Sequence, residues 1–368
     1  MFSKYRLRNY NFKLFAIVLT LSVIGTLVIN SADSSYLKKQ IFGVVVCFAG
    51  MIVLSLIDYH KFCKFYILLY ILNIVILASL FVFGYTNNGA TRWFKITDSM
   101  TIQPSEFSKI IMIIFLAVLL TKMDNNLNIA RNLIIIAICC AIPLLLIFME
   151  PDLSTTIDVF VIMFTMIFVA GLSYKIIGIA VLILIPIAGS FLWYVQTPGQ
   201  KLLTENQLGR VMAFLYPQDY LATNYQQDNS VMAIGSGMLT GKGLNSGTIA
   251  TVKDANFISE QQTDFIFSVV GEELGFIGCV GIIILMLLLV LECISIARKA
   301  IDREGMLIAS GIAAWMGFQS FINMGVATGI LPNTGIPLPF ISYGLSSLVS
   351  SCGAMGLVLN IGLQRKKY

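Results

Sequence analysis

Residues 264–291 read DFIFSVVGEELGFIGCVGIIILMLLLVL, and this stretch decides the fold class. After Glu273 it contains no charged side chain. Because a bilayer core of about 30 Å needs roughly 20 apolar helical residues, the stretch predicts a membrane-spanning helix. The helix would carry an acid, Asp264, where it enters the membrane.

The rest of the chain has the same character. Apolar residues make up 57% of the 368 residues, charged residues only 12%, and the mean hydropathy is +0.86. The charged fraction is about half that of a soluble domain. This composition excludes a disordered or collagenous chain, a nucleic-acid-binding protein and an ordinary cytosolic enzyme.

The sequence therefore predicts an all-α polytopic membrane protein, because helices satisfy their own backbone in lipid. One transmembrane domain would cover residues 1–368. Ten apolar runs predict ten transmembrane helices, with a large extracellular loop, 197–262, between helices 7 and 8. The runs are 14–31, 41–57, 65–84, 105–121, 133–149, 153–173, 176–196, 264–291, 306–330 and 340–363.

The distribution of basic residues predicts the topology. Most of the 24 Lys and Arg residues flank the runs on the side where the chain begins. Under the positive-inside rule both termini lie in the cytoplasm, and the loop 197–262 lies outside. The loop contains apolar residues such as Phe214 and Phe257, so it is predicted to pack with short helices rather than to act as a bare linker.

Two residue types that often form metal or disulfide sites do not predict one here. The seven cysteines all lie in or beside apolar runs, and the single histidine is His60. A disulfide framework and a zinc or haem site are therefore not expected.

The glycines of the long loop have two interpretations, either turns or a loop that contacts a ligand. A phosphate loop is excluded because Gly-Lys-Gly at 241–243 is not followed by Ser or Thr and no strand precedes it. The cluster consists of Gly235, Gly237, Gly241, Gly243 and Gly247.

Ionisable residues inside spans are functional candidates. Asp264 follows Thr263, which is predicted to cap the helix and so to place Asp264 in the first turn. One interpretation is an acid that only complements the helix N-terminus. The other is a partly desolvated carboxylate that acts as a general base.

Two Pro-plus-acid helix starts raise the same choice. Pro104 suits a first helical position, and Glu106 then lies in the first turn. Lys109 shares a face with Glu106, so the two form either a buried pair or an anion-binding cation. Asp152 follows Pro151 in the same way. No role is assigned to three other acids, which are Asp158, Glu272 and Glu273.

The final outer turn, 331–344, contains Pro332, Pro337 and Pro339, which stiffen it. It ends in small polar residues, including Ser342, before the last span. The turn either positions two helices or presents backbone N–H groups to an anion.

These motifs, in this order, are similar to those of the SEDS family (shape, elongation, division and sporulation), the RodA/FtsW group of bacterial peptidoglycan polymerases. The resemblance extends over nearly the whole chain. It rests on 89–93, 103–109, 151–153, Gln207 with Arg210, 233–237, 241–243, 263–267, 271–275, Gln319, Asn323 and 331–344.

The resemblance implies a ten-helix fold with the large loop after the seventh helix. It implies polymerisation of lipid II into β-1,4 glycan strands, with release of undecaprenyl pyrophosphate and inversion at the anomeric carbon. The implied partner is a class B penicillin-binding protein, and the lipid tail keeps the substrate in contact with membrane lipid. The short tails favour a RodA-like role in elongation, with division or sporulation left open.

The resemblance also implies roles for single residues. Asp264 would be the catalytic base. The substrate-binding residues would be Arg210, Lys109, Glu106, Asp152, Arg92, Lys242 and Ser342. No cofactor is certain, although a divalent cation, Mg²⁺ or Mn²⁺, could bridge the pyrophosphate.

The sequence departs from the family pattern where Ser259, Gln262, Asn206-Gln207-Leu208 and Leu345 stand. Two alternatives remain open at this point: a flippase for lipid II and a non-catalytic scaffold for the penicillin-binding protein.

Overall fold

The computed structural model describes residues 10–87, 90–97, 100–197, 200, 202–244 and 261–364. Each of the ten apolar runs coincides with a helix. The helices are, in chain order, α1 Phe12–Ala32, α2 Leu37–Leu56, α3 His60–Lys64, α4 Tyr66–Phe83, α5 Pro104–Lys122, α6 Ala130–Met149, α7 Leu153–Val169, α8 Tyr174–Val195, α9 Glu205–Leu215, α10 Leu221–Ser236, α11 Ile266–Arg298, α12 Arg303–Ala327 and α13 Leu345–Leu363.

The length and apolarity of the helices confirm a multi-pass membrane fold. Within the described residues, nine helices are long and apolar enough to cross a bilayer. The remaining apolar helix, α7, has 17 residues, which lies at the lower limit of the roughly 17–25 residues of a span. The count of ten spans stays a prediction.

Three helices lie most deeply inside the bundle. In helices α5, α12 and α13, about two thirds or more of the residues in the most apolar stretch are buried. Helix α13 packs along α2, and α12 packs against α5, α7 and α11. Helix α8 instead exposes nearly its whole length, as expected for a helix that faces lipid tails. The end of the bundle where α8 ends and α11 begins is called the loop end.

A small antiparallel sheet, which the sequence did not predict, lies between α4 and α5 at the loop end. Its strands are β1 Tyr85–Asn87, β2 Ala90–Thr97 and β3 Met100–Ile102, with β2 in the middle. Residues 88–89 and 98–99 lie outside the described residues. The sheet positions Arg92 over the loop end.

The described part of the long loop is helical and packed, as its apolar residues predicted. Thr204 and Gln207 form a capping box that starts α9. From α10, the Gln227 amide donates to the carbonyls of Val326 and Leu331 at 2.9 and 2.6 Å. These bonds fasten the loop to the end of α12. Phe257 and Gly247 lie outside the described residues.

Three glycines of the loop and of α11 permit a close backbone contact. Gly275 has a φ of +66° and interrupts the α11 helix. The segment after α10 lies against this interruption, where the N–H groups of Lys242 and Gly243 donate to the carbonyls of Glu272 and Glu273 at 3.0 and 2.9 Å. A Cβ atom on Gly237 or Gly241 would collide with the α11 backbone. Close packing against the α11 backbone therefore accounts for these glycines without a ligand.

Two of the three helix starts discussed above agree with the sequence. Pro104 occupies the first turn of α5, and Asp152 caps α7 by accepting from the Thr155 N–H at 3.1 Å. The prediction for α11 is wrong. The helix begins at Ile266 with Phe265 as its N-cap, so Thr263 is not the cap and Asp264 lies before the first turn.

Candidate active site

Asp264 is held at the loop end by its own backbone. The Asn323 side-chain amide, on α12, donates to the Asp264 carbonyl at 2.9 Å and to the Ile336 carbonyl at 2.7 Å. One amide therefore joins the entry to α11 and the proline-rich segment 331–344. The Asp264 side chain is half-buried at this junction.

Ser342 reinforces the same junction. Its hydroxyl donates to the Thr263 carbonyl at 2.6 Å and accepts from the Leu338 N–H at 2.8 Å. The neighbouring Tyr343 N–H donates to the Gln262 carbonyl at 2.9 Å. Ser342 thus shapes the backbone beside Asp264, and its direct contact with substrate stays a prediction.

Gly335 brings the catalytic candidate next to a cation. A Cβ atom on this glycine would lie 3.1 Å from Oδ2 of Asp264 and 3.7 Å from Nη1 of Arg210. Arg210 comes from α9, so the long loop supplies the guanidinium and the start of α11 supplies the carboxylate. Both side chains are half-buried.

Arg210 belongs to a larger group of charges. Burial lowers the pKa of its guanidinium, Asp264 and Asp152 act in the opposite direction, and Arg92 lowers it further. Arg210 therefore interacts electrostatically with three charged side chains. Together with Arg210 these side chains form a charge cluster, which consists of Asp264, Arg210, Arg92 and Asp152. It contains two cations and two carboxylates, so its formal charges cancel.

Arg92 fastens the sheet to the turn between α6 and α7. Its guanidinium lies 3.5 Å from Asp152 and donates to the backbone carbonyls of Glu150 and Pro151. The Gln207 amide donates to the Pro151 carbonyl at 3.0 Å. The turn 150–152 is thus the place where β2, α9 and α7 meet, and Asp152 is fixed there by its cap and by Arg92.

Lys109 and Glu106 form the buried pair that was one of the two predictions. The Lys109 ammonium donates to Glu106 at 2.8 Å and to Gln319 at 2.8 Å, and it lies 3.4 Å from Asp158. Its side chain is 1% exposed. Gln319 in turn donates to the Pro337 carbonyl at 2.8 Å. Lys109 therefore supports segment 331–344 through Gln319, and its contact with pyrophosphate stays a prediction.

Lys242 is engaged at the interruption of α11. Its ammonium donates to the Glu272 carboxylate at 2.7 Å, and the side chain is 14% exposed. Glu273 bonds to the Ser31 hydroxyl of α1. The two adjacent acids of the sequence thus contact different segments, as their separation of about 100° around the helix requires.

Sequence reasoning missed Glu150. This residue follows α6, is 1% exposed, and its carboxyl oxygens have no hydrogen-bond partner within the part of the chain that the structure describes. Asn333 and Thr334 also have a buried side-chain oxygen without a described partner. The Glu-Pro-Asp spacing at 150–152 was the available signal, since it places two acids on one short turn.

A metal ion has no preformed cage in the described ranges. No group of three or more His, Cys, Asp or Glu side chains there could hold one. The divalent cation that the sequence analysis considered remains an expectation.

Comparisons with known proteins identify the family of the chain. The family model of the FtsW/RodA/SpoVE cell cycle proteins matches residues 9–367. The chain is 32% identical to the probable peptidoglycan glycosyltransferase FtsW of Bacillus subtilis, over 98% of this chain and 92% of that protein. It is 34% identical to the peptidoglycan glycosyltransferase MrdB of Escherichia coli, over 95% of this chain and 92% of that protein.

Solved structures show the same fold. A chain of a peptidoglycan synthase complex, described as coordinating polymerization and crosslinking, superposes with a TM-score of 0.81 at 25% identity, covering 98% of this chain and 99% of that one. The rod shape determining protein RodA of Thermus thermophilus superposes with a TM-score of 0.70 at 26% identity, covering 98% of both chains. The chain belongs to the FtsW/RodA/SpoVE family of cell cycle proteins.

Proposed function

We propose that this protein is a peptidoglycan glycosyltransferase that polymerises lipid II into glycan strands. The observation that carries the proposal is the pair formed across Gly335 by the half-buried Asp264 carboxylate and the Arg210 guanidinium. The similarity to the peptidoglycan glycosyltransferases FtsW and MrdB supports it.

The pair supplies what the reaction needs. Asp264 accepts the proton of the acceptor sugar 4-hydroxyl as that oxygen bonds to the anomeric carbon of the donor. The bond from this carbon to the pyrophosphate oxygen breaks, and its electron pair leaves with undecaprenyl pyrophosphate. A positioned base contributes about 10²–10⁴-fold. A single displacement inverts the α-linked donor to a β-linked product.

The leaving group needs positive charge, and the charge cluster contains two arginines that can supply it. Arg210 lies next to the base, and Arg92 lies over the turn 150–152. Binding of the pyrophosphate would draw these guanidinium groups from Asp264 and Asp152 towards the phosphates. Lys109, paired with Glu106, would hold segment 331–344 in place through Gln319.

The position and the partner of the protein follow from the same reaction. We infer a bacterial plasma membrane location with both termini in the cytoplasm and the loop end outside, which agrees with the basic residues of the sequence. The solved peptidoglycan synthase complex supports a class B penicillin-binding protein as partner, because that complex couples polymerization to crosslinking.

The test is polymerisation of labelled lipid II by the purified protein, with and without its partner and with and without EDTA. Asp264→Asn should abolish the strands while size-exclusion profile and unfolding temperature stay unchanged. Asp219→Asn, the same change on an exposed acid of the long loop, should polymerise normally.

Strand formation by Asp264→Asn at the rate of the original protein would refute the assignment of the base. Translocation of lipid II in liposomes without polymerisation would support the flippase alternative. Complex formation without activity in any preparation would support the scaffold.

A further inference from the structure

The turn 150–152 contains a buried carboxyl that the proposed mechanism does not use. Glu150 is 1% exposed, and both of its carboxyl oxygens are without a hydrogen-bond partner among the described residues. A carboxylate buried in this way is unstable unless it is neutralised, either by a cation or by a proton. The question is which of the two neutralises Glu150.

The charges around Glu150 favour its neutralisation by a proton. Arg92 is the cation beside it, but Arg92 is already bonded to Asp152 and to the carbonyls of Glu150 and Pro151. Asp152 adds negative charge from the cap of α7. Helix α4, which packs against α6, has no charged side chain in Tyr66–Phe83. From α9, Gln207 reaches the turn as a neutral amide, and Arg210 lies beyond it beside Asp264.

These surroundings set the proton affinity of the group. Burial, followed by the charge of Asp152, raises the pKa of Glu150 to about 8, and Arg92 opposes them only in part. The residue lies after α6 and before α7, outside the spanning helices. At neutral pH the turn therefore holds a neutral acid next to a cluster whose charges balance.

We propose, on the basis of the proposed function, that Glu150 is a positioning residue that sets the charge of the donor site. As a neutral acid it does not compete for Arg92, so the two arginines of the charge cluster can receive the anionic pyrophosphate. As a carboxylate it competes for Arg92 and adds a negative charge that repels the donor. The effect reaches the substrate through Arg92, so it falls on donor binding rather than on proton transfer at Asp264.

The experiment compares pH profiles of lipid II polymerisation between pH 7 and pH 9. For the original protein, kcat/KM should fall roughly tenfold over this range, the change expected for a group with a pKa of about 8, and the fall should appear in KM. Glu150→Gln, which imitates the neutral acid, should be active at pH 7 and keep its KM at pH 9. Glu205→Gln, the same change on an exposed residue of α9, should follow the original protein.

Two results would overturn the proposal. One is a Glu150→Gln profile with the same alkaline rise in KM as the original protein. The other is folded Glu150→Gln that is inactive at pH 7, because the carboxyl itself would then be needed. If the amide variant does not fold, Glu150→Met provides a second neutral side chain, with the same expected profile.

A readout without activity separates this proposal from the proposed function. The folded state binds the Glu150 proton more tightly than the unfolded state, so stability contributed by this group falls as pH rises from about 4.5 to about 8. The difference in unfolding temperature between Glu150→Gln and the original protein should therefore grow with pH in this range. A constant difference would refute the titration, whereas no polymerisation by the original protein would count against the proposed function alone.

Discussion

Lys109→Met tests whether the buried charges beneath segment 331–344 support the site. The substitution keeps the length of the apolar chain and removes the ammonium. Glu106 and Asp158 then lose their cation, and Gln319 loses one of its donors. Because Gln319 also holds the Pro337 carbonyl, the change should loosen the segment that contains Gly335.

The expected cost follows from the burial of the partners. The side chains of Glu106 and Asp158 are 4% and 1% exposed, so water cannot replace the ammonium. Removal of one partner from a buried ion pair costs about 3–5 kcal/mol, because it leaves an uncompensated charge. We expect a loss of this size in the free energy of unfolding, with a lower kcat in the protein that remains folded.

The assay is unfolding in detergent together with lipid II polymerisation. Lys122→Met is the matched control, because Lys122 lies on the same helix with an exposed ammonium bonded to the Tyr66 hydroxyl at 3.0 Å. A triple variant, Lys109→Met with Glu106→Gln and Asp158→Asn, removes all three charges. It should regain most of the stability, since neutral replacement of a buried ion cluster is often tolerated.

The activity of the triple variant separates the two roles of Lys109. Recovery of polymerisation would mean that Lys109 acts only by supporting the segment. Normal stability without polymerisation would indicate that Lys109 contacts the pyrophosphate. An unfolding curve of Lys109→Met that overlays the original would refute the reasoning from burial.

Two further predictions concern backbone geometry and pH. Gly335→Ala should lower the free energy of unfolding by about 1–2 kcal/mol because the φ of this residue is +73°, and it should lower kcat because the new Cβ would lie 3.1 Å from Asp264. The control is Gly329→Ala, at a φ of +75° but against Val231, which should lose similar stability and retain activity. Equal activity in the two variants would contradict the prediction. Burial alone would lower the pKa of His60, but hydrogen bonds to Asp58 and Asp302, each 2.6 Å, raise it above 6.5, so its stabilisation is complete below pH 6.5 and is lost as pH rises through the folded-state pKa. The gap in unfolding temperature between the original protein and His60→Gln should therefore shrink from pH 6 to pH 9, and a constant gap would disprove the linkage.

The helices were predictable because their cause is local. A run of apolar residues long enough to span a bilayer forms a helix whatever its neighbours are, so all ten runs coincide with helices. The starts of α5 and α7 were predictable for the same reason, since Pro104 and Asp152 act within one turn.

The start of α11 was not predictable because distant residues decide it. The Thr263 carbonyl accepts a hydrogen bond from the Ser342 hydroxyl, and the Asp264 carbonyl accepts one from the Asn323 amide. The sheet that carries Arg92 likewise depends on pairing with neighbouring strands, which the count of apolar residues does not report.

Composition and run length therefore establish a helical membrane protein and mark the charges that are costly to bury. Which charges meet is a matter of tertiary packing. Asp264 and Arg210 lie against Gly335, and Glu150 lies without a described partner in the turn to which Arg92 is bonded, because five separate segments converge at the loop end. Electrostatic energy depends on distance in space and on burial, and neither quantity is encoded in the spacing of residues along the chain.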